Sequence, residues 1–190
     1  NLNEVIDSVL RLNEYQLHMD DVEIQRDLDL RLPPLNLDVN RWQQVFVNLA
    51  QNAHQALLET DAEKRVIRFE TRVREDTIVV RVCDSGPGIP ADAQARVFEP
   101  FFTTKEAGTG LGLGICYGIV TEHGGTIELE PHADEGTCFR ITLPLEAAPA
   151  APTPTQVDPG PAHSERGAGR RVLVVDDEEN VRDVVARALQ

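Results

Sequence analysis

The chain has 190 residues, of which 41% are hydrophobic, and a formal net charge of −14 at pH 7. This length supports one globular domain and leaves little for a second complete one. The acidic surface repels nucleic-acid phosphates and anionic lipid, so we expect neither nucleic acid nor a membrane surface as a partner of this segment.

The three cysteines, Cys83, Cys116 and Cys138, are scattered and lack CxxC spacing. This argues against a disulfide framework or a zinc site and favours a reducing, cytoplasmic location. No apolar run is long enough to span a bilayer. The chain lacks an initiator Met, so we expect a fragment whose parent protein could carry a membrane anchor elsewhere.

Apolar periodicity predicts helices and strands in mixed order. It predicts a helix over residues 1–17, a strand over residues 23–32 and a long helix that Asp38 caps and that ends near Leu58. The elements that follow are strands at 65–73 and 77–83 that form a hairpin, a short helical segment near 91–97, a helix at 111–123 and strands at 126–130 and 137–143. This order predicts an α+β two-layer sandwich rather than a doubly wound parallel sheet.

The composition changes after the last predicted strand. Residues 146–169 are rich in Ala, Pro, Gly, Ser and Thr, which is typical of an extended linker. The sequence RVLVVDDEENVRDVVARALQ then combines an apolar strand, an acid cluster and an amphipathic helix. We therefore predict a domain at 1–145, a linker at 146–169 and the start of a second domain at 170–190.

The long predicted helix carries amide side chains along one face. Gln44, Asn48 and Asn52 are each four residues apart, and Gln55 follows. Asn is a weak helix former, yet its side chain offers a neutral oxygen to a metal and an amino group to a phosphate. Taken alone, the pair of Asn residues is more typical of an ordinary exposed or packed helix face.

Two glycine-rich segments follow. In DSGPGIP (84–90), Asp84 at a strand end could accept a hydrogen bond from an exocyclic amino group, although this is also common turn chemistry. In GTGLGLG (108–114), alternating glycines run into a helix whose first N–H groups form an anion site. The segment has no GxGxxG, and neither Lys64 nor Lys105 follows a glycine as a P-loop lysine does.

The segment FEPFFTTK (98–105) lies between these loops. It is typical of a lid whose aromatic residues anchor its root and whose Lys105 is free to reach a phosphate. Simple core packing explains some of the three rings equally well.

The order of the Asn helix, DxGxG, FEPFFTTK and GTGLGLG resembles the N, G1, F and G2 boxes of the histidine-kinase ATP-binding domain, in the superfamily shared with gyrase, Hsp90 and MutL. The resemblance covers residues 1–145 and implies a Bergerat-type α/β sandwich with a mixed sheet that binds ATP and Mg²⁺ under a mobile lid. It implies that Asp84 binds the adenine amino group near Thr137, that Asn52 is the main Mg²⁺ ligand and that Asn48 assists. The other nucleotide-binding residues it implies are Gln55, Gly86, Gly88, Lys105, Gly108, Gly110, Leu111 and Gly112.

The resemblance implies transfer of the γ-phosphate of ATP to a histidine of a helical dimerisation hairpin. Gyrase-like ATPases carry Glu where Asn48 stands, and Asn cannot activate water, so a kinase is favoured over an ATPase. Some members carry a basic residue at the position of Gln55, which leaves Lys105 as the main cation for the phosphates.

None of the five histidines lies in the family's acceptor context, and we expect His54 on the helix surface. We therefore expect the acceptor hairpin upstream in the parent protein, and a monomeric chain that binds ATP without phosphorylating itself.

The tail resembles the start of a flavodoxin-like receiver domain of a response regulator. Its first strand would end at Asp176 and Asp177, an acid pair that would bind Mg²⁺, although a solvated acidic turn is a fair rival. The combination implies a hybrid histidine kinase. A nucleotide-sensing module without phosphotransfer and an anti-sigma-type serine protein kinase stay open, but intact boxes and the attached receiver start favour the kinase.

Overall fold

The computed structural model describes residues 1–59, 65–105, 108–130 and 136–145. The predicted linker at 146–169 and the receiver start at 170–190, with Asp176 and Asp177, lie outside the described residues. The helices within these ranges are α1 (Leu2–Met19), α2 (Val39–Leu58), α3 (Ala91–Gln94) and α4 (Gly112–Glu122). The strands are β1 (Val22–Leu28), β2 (Arg65–Arg74), β3 (Thr77–Asp84), β4 (Thr126–Glu130) and β5 (Thr137–Pro144).

The strands form a five-stranded mixed sheet in the order β1-β2-β3-β5-β4. β1 and β2 pair in parallel because α2 lies between them in the chain and forms the crossover, whereas the other neighbours are antiparallel. The predicted α+β class, the mixed sheet and the β2–β3 hairpin are confirmed.

The hydrophobic core lies between one face of the sheet and the helices α1, α2 and α4. Strand residues alternate accordingly: Ile78, Val80 and Val82 of β3 are buried, whereas Val79 and Arg81 are only half-buried. On α2 the buried stripe includes Trp42 and Phe46, at helical spacing. The amide residues of α2 therefore lie beside this stripe, at the margin of the core.

Local capping sets the element boundaries. Asp38 caps α2 as predicted, since its side chain accepts hydrogen bonds from the N–H groups of Asn40 and Arg41. The predicted strand at 23–32 is too long, because the chain leaves the sheet after Leu28. Asp29 there accepts a hydrogen bond from the N–H of Arg31 and starts a turn.

Two sequence-based expectations are wrong. Cys83 and Cys138 form a disulfide, because β3 and β5 place them directly opposite each other. His54 is buried, since its face of α2 packs against the end of α1, where its Nε2 lies 2.8 Å from Asp20 Oδ2. Within the described ranges, no helix is long and apolar enough to cross a membrane.

Candidate functional site

A cavity of about 380 Å³ opens between α2, the end of β3, the lid segment (residues 98–105) and the start of α4. It brings together ten of the twelve predicted nucleotide-binding residues, from four separate parts of the chain: Asn48, Asn52, Gln55, Asp84, Gly88, Lys105, Gly108, Gly110, Gly112 and Thr137. The other two, Gly86 and Leu111, are neighbours in sequence of residues that line this cavity, but they do not line it themselves.

Asp84 is the buried carboxylate of the site. It is the last residue of β3 and is 7% exposed. Its Oδ1 accepts hydrogen bonds from the N–H of Gly86 at 2.9 Å and from the N–H of Thr137 at 3.3 Å. Burial raises the pKa of Asp84, and the two backbone donors offset only part of that rise. A carboxylate has two oxygens, so a fixed Asp84 keeps acceptor capacity for a ligand donor.

Glycines are required around this carboxylate. A Cβ on Gly86 would lie 2.8 Å from Asp84 Oδ1, and a Cβ on Gly136 would overlap the backbone oxygen of Asp84. Gly88 has φ +76°, a conformation that favours glycine. The DxGxG motif identified Gly86 and Gly88 but not Gly136, for which a glycine just before β5 was the available signal.

The amide residues of α2 form a second wall. Asn48 and Asn52 are half-buried at the cavity, and Asn48 Nδ2 donates to the carbonyl oxygen of Gly112 at 3.1 Å. Asn48 therefore connects α2 to the start of α4. Gln44, four residues earlier, is exposed and lies outside the lining of the described cavity.

Lys105 is the cation of the site. The sequence predicted a free side chain, but Lys105 is hydrogen-bonded to α2. Its Nζ donates to Gln55 Oε1 at 2.9 Å and to the carbonyl oxygen of Asn52 at 3.4 Å. Burial lowers the pKa of Lys105, while the carboxylates of Glu59 and Asp84 act in the opposite direction. A positive charge thus sits beside the amide oxygens of α2.

The start of α4 forms the third wall. Leu111 is its N-cap residue, and an apolar side chain cannot accept hydrogen bonds from the first-turn N–H groups. Such N–H groups, together with the helix dipole, bind anions. Because Gly112 and Leu113 line the cavity, these donors are available to an anionic ligand there.

Gly110 has a structural role that the sequence did not reveal. Its φ is +67°, and a Cβ there would overlap the backbone of Phe101. The N–H of Phe101 donates to the carbonyl oxygen of Gly110 at 2.9 Å. This backbone contact joins the lid segment to the loop before α4.

The three lid phenylalanines differ in role. Phe98 anchors the root, with its ring centroid 5.9 Å from that of Tyr117 and 6.1 Å from that of Phe139. Phe102 lines the cavity with Arg96 4.4 Å from its ring, whereas Phe101 is 76% exposed. Core packing therefore accounts for Phe98 alone.

The site's donor set suits a metal that arrives with phosphates. Among the described residues, no three His, Cys, Asp or Glu side chains lie close enough to hold a metal ion. Mg²⁺ commonly uses one or two protein oxygens together with substrate phosphates and water. The neutral amide oxygens of Asn48 and Asn52, next to the N-terminus of α4, fit this pattern.

Comparisons with known proteins agree with this geometry. The family model described as histidine kinase-, DNA gyrase B-, and HSP90-like ATPase matches residues 37–147. The sensor kinase CckA of Brucella abortus is 37% identical over 90% of this chain and 20% of its own length. Sporulation kinase A of Bacillus subtilis is 35% identical over 76% of this chain and 23% of its own length. The chain thus spans about a fifth of the length of such relatives.

Solved structures give the same result. The catalytic domain of histidine kinase ThkA superposes with a TM-score of 0.68 at 36% identity, over 76% of this chain and 92% of that one. Full-length ShkA in complex with AMPPNP has a TM-score of 0.66 at 27% identity, over 80% of this chain and 31% of that one.

Proposed function

This chain belongs to the histidine kinase-, DNA gyrase B- and HSP90-like ATPase family, and we propose that it is the ATP-binding catalytic domain of a hybrid sensor histidine kinase. The observation that carries the proposal is that a buried carboxylate, amide oxygens, a lysine and a helix start all line one cavity. A nucleoside triphosphate is chemically complementary to this lining, since its base carries hydrogen-bond donors for the carboxylate and its phosphates carry negative charge.

Asp84 would select adenine. Its carboxylate, fixed by the N–H groups of Gly86 and Thr137, would accept a hydrogen bond from the exocyclic amino group. Guanine presents a carbonyl oxygen at the corresponding position, which a carboxylate repels. The preference for adenine over guanine would therefore depend on the negative charge of Asp84.

The amide residues of α2, Lys105 and the start of α4 would hold the triphosphate. Asn52 would be the main Mg²⁺ ligand and Asn48 its assistant, and Mg²⁺ would neutralise phosphate charge that the acidic chain otherwise repels. The backbone of Gly110, Leu111 and Gly112 would donate N–H groups to the phosphates. Lys105 would exchange its hydrogen bond with Gln55 for a phosphate oxygen.

The arrangement suits transfer rather than hydrolysis. Phosphoryl transfer depends mainly on positioning and charge neutralisation, both of which these residues supply. Asn48 stands where gyrase-like ATPases carry Glu, and an amide cannot remove a proton from water. ATP would thus stay intact until a protein nucleophile arrives.

The nucleophile would come from elsewhere in the parent protein. We place the acceptor histidine in an upstream dimerisation hairpin and the next acceptor in a receiver domain that begins at 170–190 with Asp176 and Asp177. The domain at 1–145 and the linker at 146–169 would precede it. This segment would act in the cytoplasm, and as an isolated chain it would be monomeric.

Labelled Mg·ATP tests the proposal. The parent protein extended to include the hairpin should form an acid-labile phosphohistidine. The present chain alone should stay unlabelled and release phosphate no faster than its Asn52→Ala variant. A phosphohistidine on the isolated chain, or sustained phosphate release by it, would contradict the proposal.

A further inference from the structure

We propose that Cys83 and Cys138 are a reversible redox modification site that controls nucleotide affinity from the adenine end of the cavity. The proposal rests on the nucleotide site proposed above. The two residues are 55 positions apart in sequence but opposite each other in the β3–β5 pairing, where they form a disulfide. Intracellular disulfides of this kind are usually transient and redox-sensing rather than structural.

The disulfide is one residue away from the adenine carboxylate. The next pair in the β3–β5 register is Asp84 opposite Thr137, and the N–H of Thr137 donates to Asp84 Oδ1. Both strands have an end here, because β3 ends at Asp84 and β5 begins at Thr137. A covalent bond at the preceding pair therefore fixes the strand separation on which this hydrogen bond depends.

The sulfurs lie on the opposite side of the sheet from the ligand. Side chains alternate along a strand, so Asp84 and Thr137 face the cavity while Cys83 and Cys138 face the other way. Oxidation thus takes no volume from the ligand. The two cysteines are absent from the lining of the described cavity, so a bound nucleotide would not touch them.

The pair differs from the third cysteine because each of its members has the other as a bonding partner. Cys83 is 7% exposed and Cys138 2%, so Cys83 is the less buried residue of the pair. Cys116 is a fully buried free thiol, and burial raises its pKa to about 12. Since the thiolate is the reactive form, Cys116 should stay reduced.

The oxidant is a small-molecule disulfide such as glutathione disulfide. The Cys83 thiolate attacks one of its sulfurs, forms a mixed disulfide and releases one glutathione thiolate. The Cys138 thiolate then attacks the Cys83 sulfur, forms the intramolecular bond and releases the second glutathione. Two cysteine thiols lose two electrons and two protons in total, and one glutathione disulfide becomes two glutathione thiols.

Oxidation should strengthen adenine nucleotide binding. With the disulfide formed, Asp84 and Thr137 are pre-organised, and reduction leaves their separation to the strand hydrogen bonds alone. Since the effect passes through a single hydrogen-bonded pair, we expect ADP to bind about fivefold more weakly to the reduced chain, at the low end of typical coupling between sites. Tripolyphosphate, which lacks the base, should bind both forms equally.

The test uses the full chain in two states, reduced with a phosphine and oxidised with glutathione disulfide. Thiol titration under denaturing conditions should find three thiols in the reduced state and one in the oxidised state. Calorimetry with Mg·ADP and with Mg·tripolyphosphate then measures the affinities. Cys116→Ser is the matched control and should keep the whole ADP shift, while the double variant Cys83→Ser, Cys138→Ser should bind ADP like the reduced chain in both buffers.

Three results would overturn the proposal. They are three thiols after oxidation, equal ADP affinity in both states, and an ADP shift that persists in the double variant. An absence of ADP binding in either state would instead overturn the nucleotide site itself. Equal binding in both states leaves that site intact, so the two failures are distinguishable.

Discussion

Asp84 combines burial, charge and a fixed orientation at the end of β3. Because its Oδ1 is held by two backbone N–H groups, an amide at this position would place its oxygen there. The amide NH₂ would then point at the ligand. A carboxylate accepts a hydrogen bond from a ligand's amino group, whereas an amide in this orientation presents a second donor to that group and repels it.

Asp84→Asn should therefore weaken ADP binding by about 1.5–3 kcal/mol, the usual contribution of a hydrogen bond to a charged group. Tripolyphosphate affinity should not fall, because this ligand lacks the amino group that Asp84 would bind. Asp92→Asn, on exposed α3, is the matched control. Calorimetry checks both, and an Asp84→Asn chain that binds ADP like the wild type would show that the adenine assignment is wrong.

The raised pKa of Asp84 predicts a pH dependence. The carboxylate form binds the adenine amino group, so ADP affinity should fall as the pH drops through this raised pKa, starting at a higher pH than for an ordinary Asp. The stability of the protein without ligand should change with pH in the opposite direction. Because the unfolded chain ionises Asp84 more readily, the free energy of unfolding should decrease as the pH rises between the ordinary and the raised value.

Titrations of ADP affinity against pH in the wild type and in Asp84→Asn would measure this effect, since the ionisation of ADP itself is the same in both experiments. The fall in affinity through the raised pKa should be absent from Asp84→Asn. A fall that persists unchanged in that variant would assign the titration to another group.

Asn52→Ala should abolish the Mg²⁺-dependent part of nucleotide binding, because it removes the proposed main metal ligand. Gln44→Ala on the same helix is exposed and lies outside the described cavity, so it should bind Mg·ADP normally. ADP titrations with and without Mg²⁺ check this. An Asn52→Ala chain whose ADP affinity still rises with Mg²⁺ would show that the metal has another ligand.

Residue types and the order of the four motifs predicted which residues line the cavity, although the Asn pair or DxGxG alone is common in ordinary helices and turns. They did not predict contacts between distant segments. The Lys105–Gln55 hydrogen bond joins residues 50 positions apart, and the burial of His54 depends on the end of α1. Such contacts follow from packing, which local patterns do not encode.

At the scale of elements, the lid segment depends on a backbone contact rather than on its aromatic side chains alone. Gly110 and Phe101 both have positive φ, and Phe101 is held in this conformation by its hydrogen bond to Gly110. Phe98 anchors the other part of the segment. The lid root and the helix start that would bind phosphate are therefore one structural unit.

Gly110→Ala should disrupt this unit. The substitution strains φ by about 1–2 kcal/mol and overlaps the Phe101 backbone, so Mg·ADP affinity should fall while the sheet stays folded. Gly118→Ala is the matched control, since Gly118 is exposed on α4 and a Cβ there meets nothing within 4 Å. It should leave affinity unchanged and raise the free energy of unfolding by about 1 kcal/mol. Equal ADP affinity in both variants would exclude Gly110 from lid positioning.

Element types were predictable because caps and periodicity are local. Asp38 fixed the start of α2, and Gly124 and Gly125 predicted the end of α4. The predicted strand at 23–32 extends past the end of β1 because Leu30 continues the apolar alternation, although Leu30 is 95% exposed in the turn after the strand. Alternation cannot distinguish a strand from the turn that follows it.

For the whole molecule, the sheet order determines where the site forms. β5 is the last strand among the described residues, yet it pairs with β3 inside the sheet and brings Thr137 to Asp84. The same pairing brings Cys83 to Cys138. Strand order is a long-range property, so the sequence predicted the α+β class but not this disulfide.

One cavity should bind Mg²⁺ and an adenine nucleotide together. Calorimetry of the folded chain with ADP, first with Mg²⁺ and then with a chelator, measures this binding. One nucleotide should bind per chain, and its affinity should fall markedly when Mg²⁺ is removed. Absence of ADP uptake by the folded chain in the presence of Mg²⁺ would mean that the cavity is not a nucleotide site.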